Sequence, residues 1–318
     1  MTGPARDHGG GIDAAADRWG GTRADWIDLS TGINPVPYPL DTLEPQAWTA
    51  LPDRAATDRL IAAARTFWQV PQGARIVPAP GASALIARMP DLAPPGAVRI
   101  PTPTYNEHAA AFRAAGREVG DDAAAPACVL VHPNNPDGRL WPVPGDAALT
   151  VIDESFCDTD PAASHVARTQ RPGTIVLKSF GKFWGLAGLR LGVAIGHPDT
   201  LAPAGGRSLD DLLGPWPVSG PALQIGARAL EDGVWAEEAR ARLVRNAARL
   251  DALLTGAGAR VAGGTPLFRL YKVDDAGAWQ ERLAAARIWS RTFPYSRTWL
   301  RLGLPGPEAW DRVAQALR

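Results

Sequence analysis

Residues 174–196 read TIVLKSFGKFWGLAGLRLGVAIG, and this stretch decides the fold. It contains Lys178 and Lys182, two of the three lysines in the chain; the third is Lys272. A lysine amine can lose its proton and attack a carbonyl, whereas arginine stays charged. Lys182 is the better candidate because Gly181 permits close approach of a flat ring, and its apolar neighbours would lower the pKa of the amine. A surface lysine in a glycine-rich turn is the alternative.

Two further residues of the stretch suit a phosphate-bearing cofactor. Ser179 offers a hydroxyl three residues before Lys182, and Arg190 offers a fixed cation eight residues after it. A phosphate-binding loop of the Gly-x4-Gly-Lys-Ser/Thr type is excluded, because it would need a glycine at Val176 and a hydroxyl at Phe183. The stretch therefore suits Schiff-base chemistry with a phosphorylated cofactor, and a surface lysine in a glycine-rich turn stays the alternative.

Composition narrows the class of protein. The 33 basic and 33 acidic residues give zero net charge, which favours neither a nucleic-acid partner nor a membrane surface. No apolar run approaches the roughly 20 residues of a membrane span, and the N-terminus lacks a hydrophobic signal segment. Cys128 and Cys157 do not make a disulfide framework. We expect a cytoplasmic enzyme without a metal site.

The order of apolar runs predicts the domain organisation. From about Arg75, short apolar runs alternate with helical patterns, which predicts an α/β fold with a mostly parallel central sheet and flanking helices. A passage rich in glycine and proline, residues 205–220, leads to a smaller α+β lobe. We expect an N-terminal segment packing on the small domain (1–35), a large cofactor-binding domain (36–220) and a small C-terminal domain (221–318).

Residues at the ends of predicted strands are candidates for ligand binding, since open α/β sheets bind ligands there. A glycine precedes a predicted helix whose first amides, at Ala82 and Ser83, would point at an anion. Tyr105 and Asn135 lie in proline-bounded turns. Asp153 ends a buried strand, where an unpaired carboxylate is costly. The ordinary alternatives are an αβ connection, a packed tyrosine, a turn asparagine and a capping aspartate.

The lysine stretch resembles the signature of type I pyridoxal 5'-phosphate (PLP) enzymes, the aminotransferase superfamily. The matching positions are Ser179-x-x-Lys182 and Gly185-Leu186-x-Gly188-x-Arg190-x-Gly192. The resemblance implies the PLP-dependent transferase type I fold, a homodimer and a covalent link between Lys182 and PLP. It also implies that Ser179, Arg190 and the amides of Ala82 and Ser83 hold the cofactor phosphate.

The same resemblance assigns contacts to the cofactor ring. Tyr105 would stack on the ring, and Asn135, in a motif like the family's Asn-Pro-x-Gly, would bind its phenolic oxygen. Asp153 would keep the ring nitrogen protonated and so strengthen the cofactor as an electron sink. Many relatives have a tyrosine where this chain has Phe156, so one bond to the phenolic oxygen is missing.

A narrower resemblance concerns the N-terminal part of the chain. The motifs are His8-Gly9-Gly10 and Asp28-Leu29-Ser30-x-x-Ile33-Asn34-Pro35. They are similar to those of the threonine-phosphate decarboxylases of cobalamin biosynthesis. This implies PLP-dependent decarboxylation of L-threonine O-3-phosphate, a small phosphorylated amino acid, to (R)-1-amino-2-propanol O-2-phosphate. The implied substrate-binding residues are His8, Gly9, Gly32, Asn135, Arg291 and Arg301. Among these, Arg301 would pair with the α-carboxylate and Arg291 with a second anion.

Other functions stay open at this point. Histidinol-phosphate aminotransferases share most of the motifs. The orientation of the substrate decides the reaction: decarboxylation follows when the bond from Cα to the carboxylate is perpendicular to the cofactor plane, and amino transfer when the Cα–H bond is. A non-catalytic PLP-fold binding protein is the alternative of another class. Gly32 stands where the decarboxylases are expected to have asparagine, which puts one substrate contact in doubt. Leu51 replaces a tyrosine that reaches the phosphate of the neighbouring subunit in many relatives.

Overall fold

The computed structural model describes residues 8–142 and 147–318; residues 1–7, part of the predicted N-terminal segment, lie outside the described residues. The described residues form eleven α-helices. They are α1 Ile12–Trp19, α2 Gln46–Thr49, α3 Arg54–Phe67, α4 Ala82–Leu92, α5 Asn106–Ala114, α6 Pro198–Leu201, α7 Leu209–Leu213, α8 Gly220–Glu231, α9 Gly233–Gly256, α10 Ala276–Ala285 and α11 Trp310–Ala316. None of these helices combines the length and the apolar composition that crossing a membrane requires.

The same residues form thirteen β-strands. They are β1 Ile27–Asp28, β2 Arg75–Ala79, β3 Val98–Arg99, β4 Val119–Gly120, β5 Ala127–Val131, β6 Leu149–Asp153, β7 Thr174–Ser179, β8 Gly192–Gly196, β9 Arg260–Thr265, β10 Phe268–Lys272, β11 Ile288–Trp289, β12 Arg291–Phe293 and β13 Ser296–Gly303.

The chain divides into two units. The small unit comprises Met1–Pro37, Pro136–Arg139 and Glu238–Arg318, and the large unit comprises Tyr38–Asn135 and Leu140–Glu237. The sequence predicts a boundary after residue 220, but the large unit continues through α8. Helix α8 packs closely on α3, since a Cβ on Gly226 would lie 3.1 Å from Leu60 Cδ1.

The large unit is built on a seven-stranded sheet in the order β2-β8-β7-β6-β5-β3-β4. Strands β3 to β7 pair in parallel, while β8 runs antiparallel to β7 and β2. The predicted mostly parallel sheet is therefore confirmed. Asp153 pairs in register with Val131 on one side and with Leu177 on the other. The carboxyl ends of β5, β6 and β7 thus meet at one edge of the sheet.

Burial explains why these segments form strands. Every residue of β5, β6 and β8 is buried, and continuous apolar runs suit strands that are covered on both faces. Side chains of α4 and α5 pack on the sheet in one core that includes Leu85, Met89, Phe112, Val129, Val151 and Leu177. This packing fixes the helix and strand ends that carry the candidate site.

The small unit contains a four-stranded antiparallel sheet in the order β12-β13-β10-β9, and β1 pairs in parallel with β11. Arg291 of β12 and Arg301 of β13 are direct cross-strand partners. Directly opposed residues project from the same face of a sheet. The two arginines therefore lie side by side.

Helix α1 packs on the rest of the small unit through aromatic side chains. Ile12 and Ala15 are buried in a cluster with Trp26. The rings of Trp19 and Trp289 lie 5.3 Å apart between centroids, a separation at which aromatic pairs attract each other. This docking anchors the chain immediately after residues 8–10.

Candidate functional site

A cavity of about 190 Å³ lies in the large unit, at the edge where β5, β6 and β7 end. All eight residues that the sequence predicts as cofactor contacts line it: Ala82, Ser83, Tyr105, Asn135, Asp153, Ser179, Lys182 and Arg190. They come from five separate stretches of the chain. The fold therefore brings together residues that the sequence could connect only by resemblance.

One wall of the cavity is suited to an anion. Helix α4 begins here after Gly81, whose φ is 89°, so its first amides face outward without helical partners. Arg190 Nη2 donates to Ser83 Oγ at 3.5 Å. A Cβ at position 81 would lie 2.8 Å from Arg190 Nη2. The guanidinium and the helix N-terminus thus form a small positive cradle that only a glycine leaves open.

A second glycine lets β8 approach the same helix. Gly192 pairs with Ser179 across β7 and β8, and a Cβ at position 192 would lie 2.5 Å from the amide nitrogen of Ala82. Ser179 is the last residue of β7, and its Oγ accepts a hydrogen bond from the amide of Gly181 at 3.2 Å. The close contact explains the last glycine of the lysine motif.

Asp153 is held in its charged form at the end of β6. It is 2% exposed; its Oδ2 lies 2.9 Å from His108 Nε2, and its Oδ1 accepts hydrogen bonds from the amide and hydroxyl of Ser155. Burial alone would raise the pKa of Asp153, but the hydrogen bonds and charge of His108, together with Ser155, hold it below its usual range. The cavity therefore offers a buried carboxylate that is suited to an N–H donor.

The two lysines of the stretch differ in role. Lys178 Nζ lies 2.7 Å from Glu154 Oε2 and 3.5 Å from Asp158 Oδ1. Burial would lower the pKa of Lys178, but these two carboxylates raise it far above its ordinary value. Lys178 thus stays an ammonium ion. Lys182 lines the cavity instead, with Nζ 5.5 Å from the centre of the Phe156 ring.

Asp158 also anchors the loop that carries Lys182. Its carboxylate accepts hydrogen bonds from the indole N–H groups of Trp68 at 2.9 Å and Trp184 at 3.1 Å. Trp184 follows Lys182 by two residues and stacks on Trp235 with centroids 5.3 Å apart. The buried Asp158 carboxylate therefore holds Trp184, and with it the loop that carries Lys182, in place.

The small unit holds the predicted substrate arginines. Arg301 is 5% exposed and donates to the carbonyl oxygen of Ser30 at 2.5 Å. Burial, followed by the charge of neighbouring Arg291, lowers the pKa of Arg301 to about 10. Arg291 Nη1 donates to the carbonyl oxygen of His8 at 2.7 Å. Two adjacent cations, one of them buried, favour binding of an anion.

The remaining predicted substrate residues are placed as follows. Gly9 packs so closely that a Cβ there would lie 2.5 Å from the carbonyl oxygen of Ser30. Gly32 is buried in the small unit. Asn135 belongs to the large unit, where it lines the cavity. Their assignment to substrate stays a prediction.

Another cavity of the large unit is bigger but lacks this chemistry. It measures about 290 Å³, lies near Pro52, Thr57 and Trp216, and is lined by none of the predicted site residues. Among the described residues, no group of three histidine, cysteine, aspartate or glutamate side chains is arranged to hold a metal ion. The cavity around Lys182 is therefore the candidate site.

Sequence reasoning missed His108 and the charged cluster of Lys178. Helix α5 begins at Asn106, directly after the turn that contains Tyr105, and carries His108 on its first turn. The spacing of three residues between Tyr105 and His108 was the feature of the sequence that could have indicated His108 as a second residue near the site.

Comparison with known proteins identifies the family of the chain. The family model for class I and II aminotransferases matches residues 122–317. A threonine-phosphate decarboxylase of a Sinorhizobium species is 43% identical, over 98% of this chain and 97% of its own length. A threonine-phosphate decarboxylase of Pseudomonas aeruginosa is 39% identical, again over 98% of this chain and 97% of its own.

A solved structure shows the same fold. The histidinol-phosphate aminotransferase of Clostridium acetobutylicum superposes with a TM-score of 0.78 at 19% identity, covering 91% of this chain and 97% of that one. The chain belongs to the class I and II aminotransferase family, within which it groups with proteins named threonine-phosphate decarboxylase.

Proposed function

We propose that this protein is a PLP-dependent decarboxylase that converts L-threonine O-3-phosphate to (R)-1-amino-2-propanol O-2-phosphate. The observation that carries the chemistry is that Lys182 and Asp153 line one cavity together with the anion cradle of α4 and Arg190. The choice of substrate follows the names of relatives that match the chain over nearly its full length.

The residues of the cavity fit PLP. Lys182 supplies an amine for the aldehyde, Asp153 a charged acceptor for the ring nitrogen, and Tyr105 an aromatic face. The α4 amides and Arg190 suit the phosphate. When bound, PLP supplies an electron sink for the pair that a departing carboxyl group leaves behind.

The residues of the chain have distinct tasks in this reaction. The bond between Cα and the carboxylate breaks, CO₂ leaves with the carboxyl carbon, and a proton takes its place on Cα. Arg301 is proposed to hold the α-carboxylate before it leaves, and Arg291 and His8 the phosphate. Lys182 Nζ, which lines the cavity, or water is proposed to supply this proton to Cα. Asp153 stays ionised throughout because His108 and Ser155 stabilise its charge.

The test is a stoichiometric assay. Protein loaded with PLP is supplied with L-threonine O-3-phosphate, and CO₂ and the amine product are measured with and without 2-oxoglutarate. We expect equal amounts of CO₂ and product, independent of 2-oxoglutarate, and no CO₂ from Lys182→Ala. Amino transfer to 2-oxoglutarate without CO₂ would establish the aminotransferase instead. Neither product, with the visible absorbance of bound cofactor retained, would identify a binding protein.

We also propose that the protein is a homodimer. Large apolar side chains are exposed on the chain taken by itself, among them Trp48 (71%) and Leu51 (67%) of the large unit. Burial of such groups is a driving force for association. Sedimentation velocity of the loaded protein at micromolar concentration should give twice the mass of 33.7 kDa, and a single monomeric species would overturn the proposal. The cytoplasmic location stays a prediction.

A further inference from the structure

Ser30 joins two parts of the small unit that the proposed function assigns to substrate. It is 1% exposed. Its Oγ donates to Asp28 Oδ1 and accepts from the amide of Gly10, both at 2.6 Å. Its own amide also donates to Asp28 Oδ1, at 2.8 Å. Asp28 therefore holds the Ser30 hydroxyl in one orientation, in which a lone pair of the oxygen faces the amide of Gly10.

The main chain of Ser30 faces the other way, to Arg301. Its carbonyl oxygen accepts a hydrogen bond from Arg301 Nη2 at 2.5 Å. The same oxygen would lie 2.5 Å from a Cβ at position 9. Ser30 thus contacts the buried guanidinium with one polar group and residues 8–10 with another. We call residues 8–10 the His-Gly-Gly segment.

Two further hydrogen bonds to this segment also come from residues of the small unit. Arg291 donates to the carbonyl oxygen of His8 at 2.7 Å, and the indole of Trp289 donates to the carbonyl oxygen of Gly10 at 2.8 Å. The amide of Gly10 donates to this surface, and Ser30 Oγ accepts that hydrogen bond. Loss of the hydroxyl leaves that amide without its partner while the two arginines keep theirs.

We propose that Ser30 is a positioning residue that couples the His-Gly-Gly segment to Arg301, so that the segment and the carboxylate-binding arginine present one substrate surface. The proposal rests on the proposed function, in which both elements contact the substrate. Ser30 itself touches neither substrate nor cofactor. Its effect is on how well the substrate is held and not on the chemical step, because the groups that line the Lys182 cavity belong to the large unit.

The matched pair of variants is Ser30→Ala and Ser290→Ala. Ser290 is also 1% exposed, and its Oγ has no hydrogen-bond partner among the described residues. Both changes remove one buried hydroxyl from the small unit, but only the first breaks hydrogen bonds. Asp28→Asn is a third variant, which keeps an oxygen acceptor for Ser30.

Two measurements test the coupling. Hydrogen exchange followed by mass spectrometry should show the amides of residues 8–12 exchanging about 3–10-fold faster in Ser30→Ala, the factor that corresponds to one lost hydrogen bond. The KM for L-threonine O-3-phosphate should rise by about the same factor, with kcat and the dissociation constant of PLP changed less than about twofold. Ser290→Ala should change none of these, and Asp28→Asn less than Ser30→Ala.

The outcomes separate the coupling from the proposed function. Equal exchange in Ser30→Ala and Ser290→Ala, or a fall in kcat with KM unchanged, would overturn the coupling. If the wild-type protein released no CO₂, the proposed function would fail, while the exchange measurement and the equilibrium binding of L-threonine O-3-phosphate would still decide the role of Ser30. Faster exchange with unchanged substrate binding would also refute the coupling to substrate.

Discussion

Lys178→Met tests whether the buried charged cluster stabilises the large unit. The substitution removes an ammonium ion that lies 2.7 Å from Glu154 and 3.5 Å from Asp158, all three side chains being at most 4% exposed. At 2.7 Å the attraction is about 6 kcal/mol for an effective dielectric of about 20, before the cost of burial is subtracted. Removing one partner of a buried pair leaves the other charge uncompensated and costs about 3–5 kcal/mol.

The assay is urea unfolding, followed by tryptophan fluorescence. With a slope of about 2 kcal/mol per molar urea, the midpoint should fall by about 1.5–2.5 M. Lys272→Met is the control, because Lys272 is exposed at the end of β10, and its midpoint should stay within about 0.3 M of wild type. Adding Glu154→Gln to Lys178→Met should recover part of the loss, since the buried carboxylate is then neutral. Equal midpoints for the two lysine variants would refute the reasoning.

Three further predictions follow, two on the cavity and one on the charged cluster of Lys178. Lys182→Ala should abolish the visible absorbance that develops when PLP is added, whereas Lys272→Ala should keep it; spectrophotometry decides. His108→Phe should weaken PLP binding about 10-fold, because burial would then raise the pKa of Asp153 and neutralise the partner of the ring nitrogen; absorbance titration measures this, and unchanged affinity would contradict the role of His108. The pKa of Glu154 lies below its ordinary value of 4.5, so the stability it provides is present above pH 4.5 and lost as pH falls further. Unfolding midpoints should therefore fall less steeply below pH 4.5 in Glu154→Gln than in wild type, and parallel curves would contradict this.

The sequence was informative where local pattern determines structure. The short apolar runs that alternate with helical patterns from about Arg75, one of them ending at Asp153, predict a mostly parallel sheet, and in such a sheet the carboxyl ends of parallel strands share one edge. The rarity of lysine singles out residues 174–196, which contain two of the three lysines of the chain. The fold and the eight cavity residues follow from these local signals together with the family motif.

Contacts between distant segments were not predictable in the same way. His108 reaches Asp153 from α5, and Lys178 reaches Glu154 and Asp158 from the neighbouring strand. Neither contact leaves a periodic pattern in the sequence. The role of Ser30 was hidden for the same reason, because its partners Gly10 and Arg301 are 20 and 271 residues away along the chain.

The position of Trp184 gives the protein an optical signal of its own. The indole is fully buried, stacked on Trp235 and only two residues beyond the lysine that faces the cavity. Its emission overlaps the absorption of a pyridoxyl chromophore, so resonance energy transfer should dim it when that chromophore occupies the cavity. Loading of the site can then be followed in real time without a label, and Trp184→Phe should remove a disproportionate share of the quenching among the twelve tryptophans.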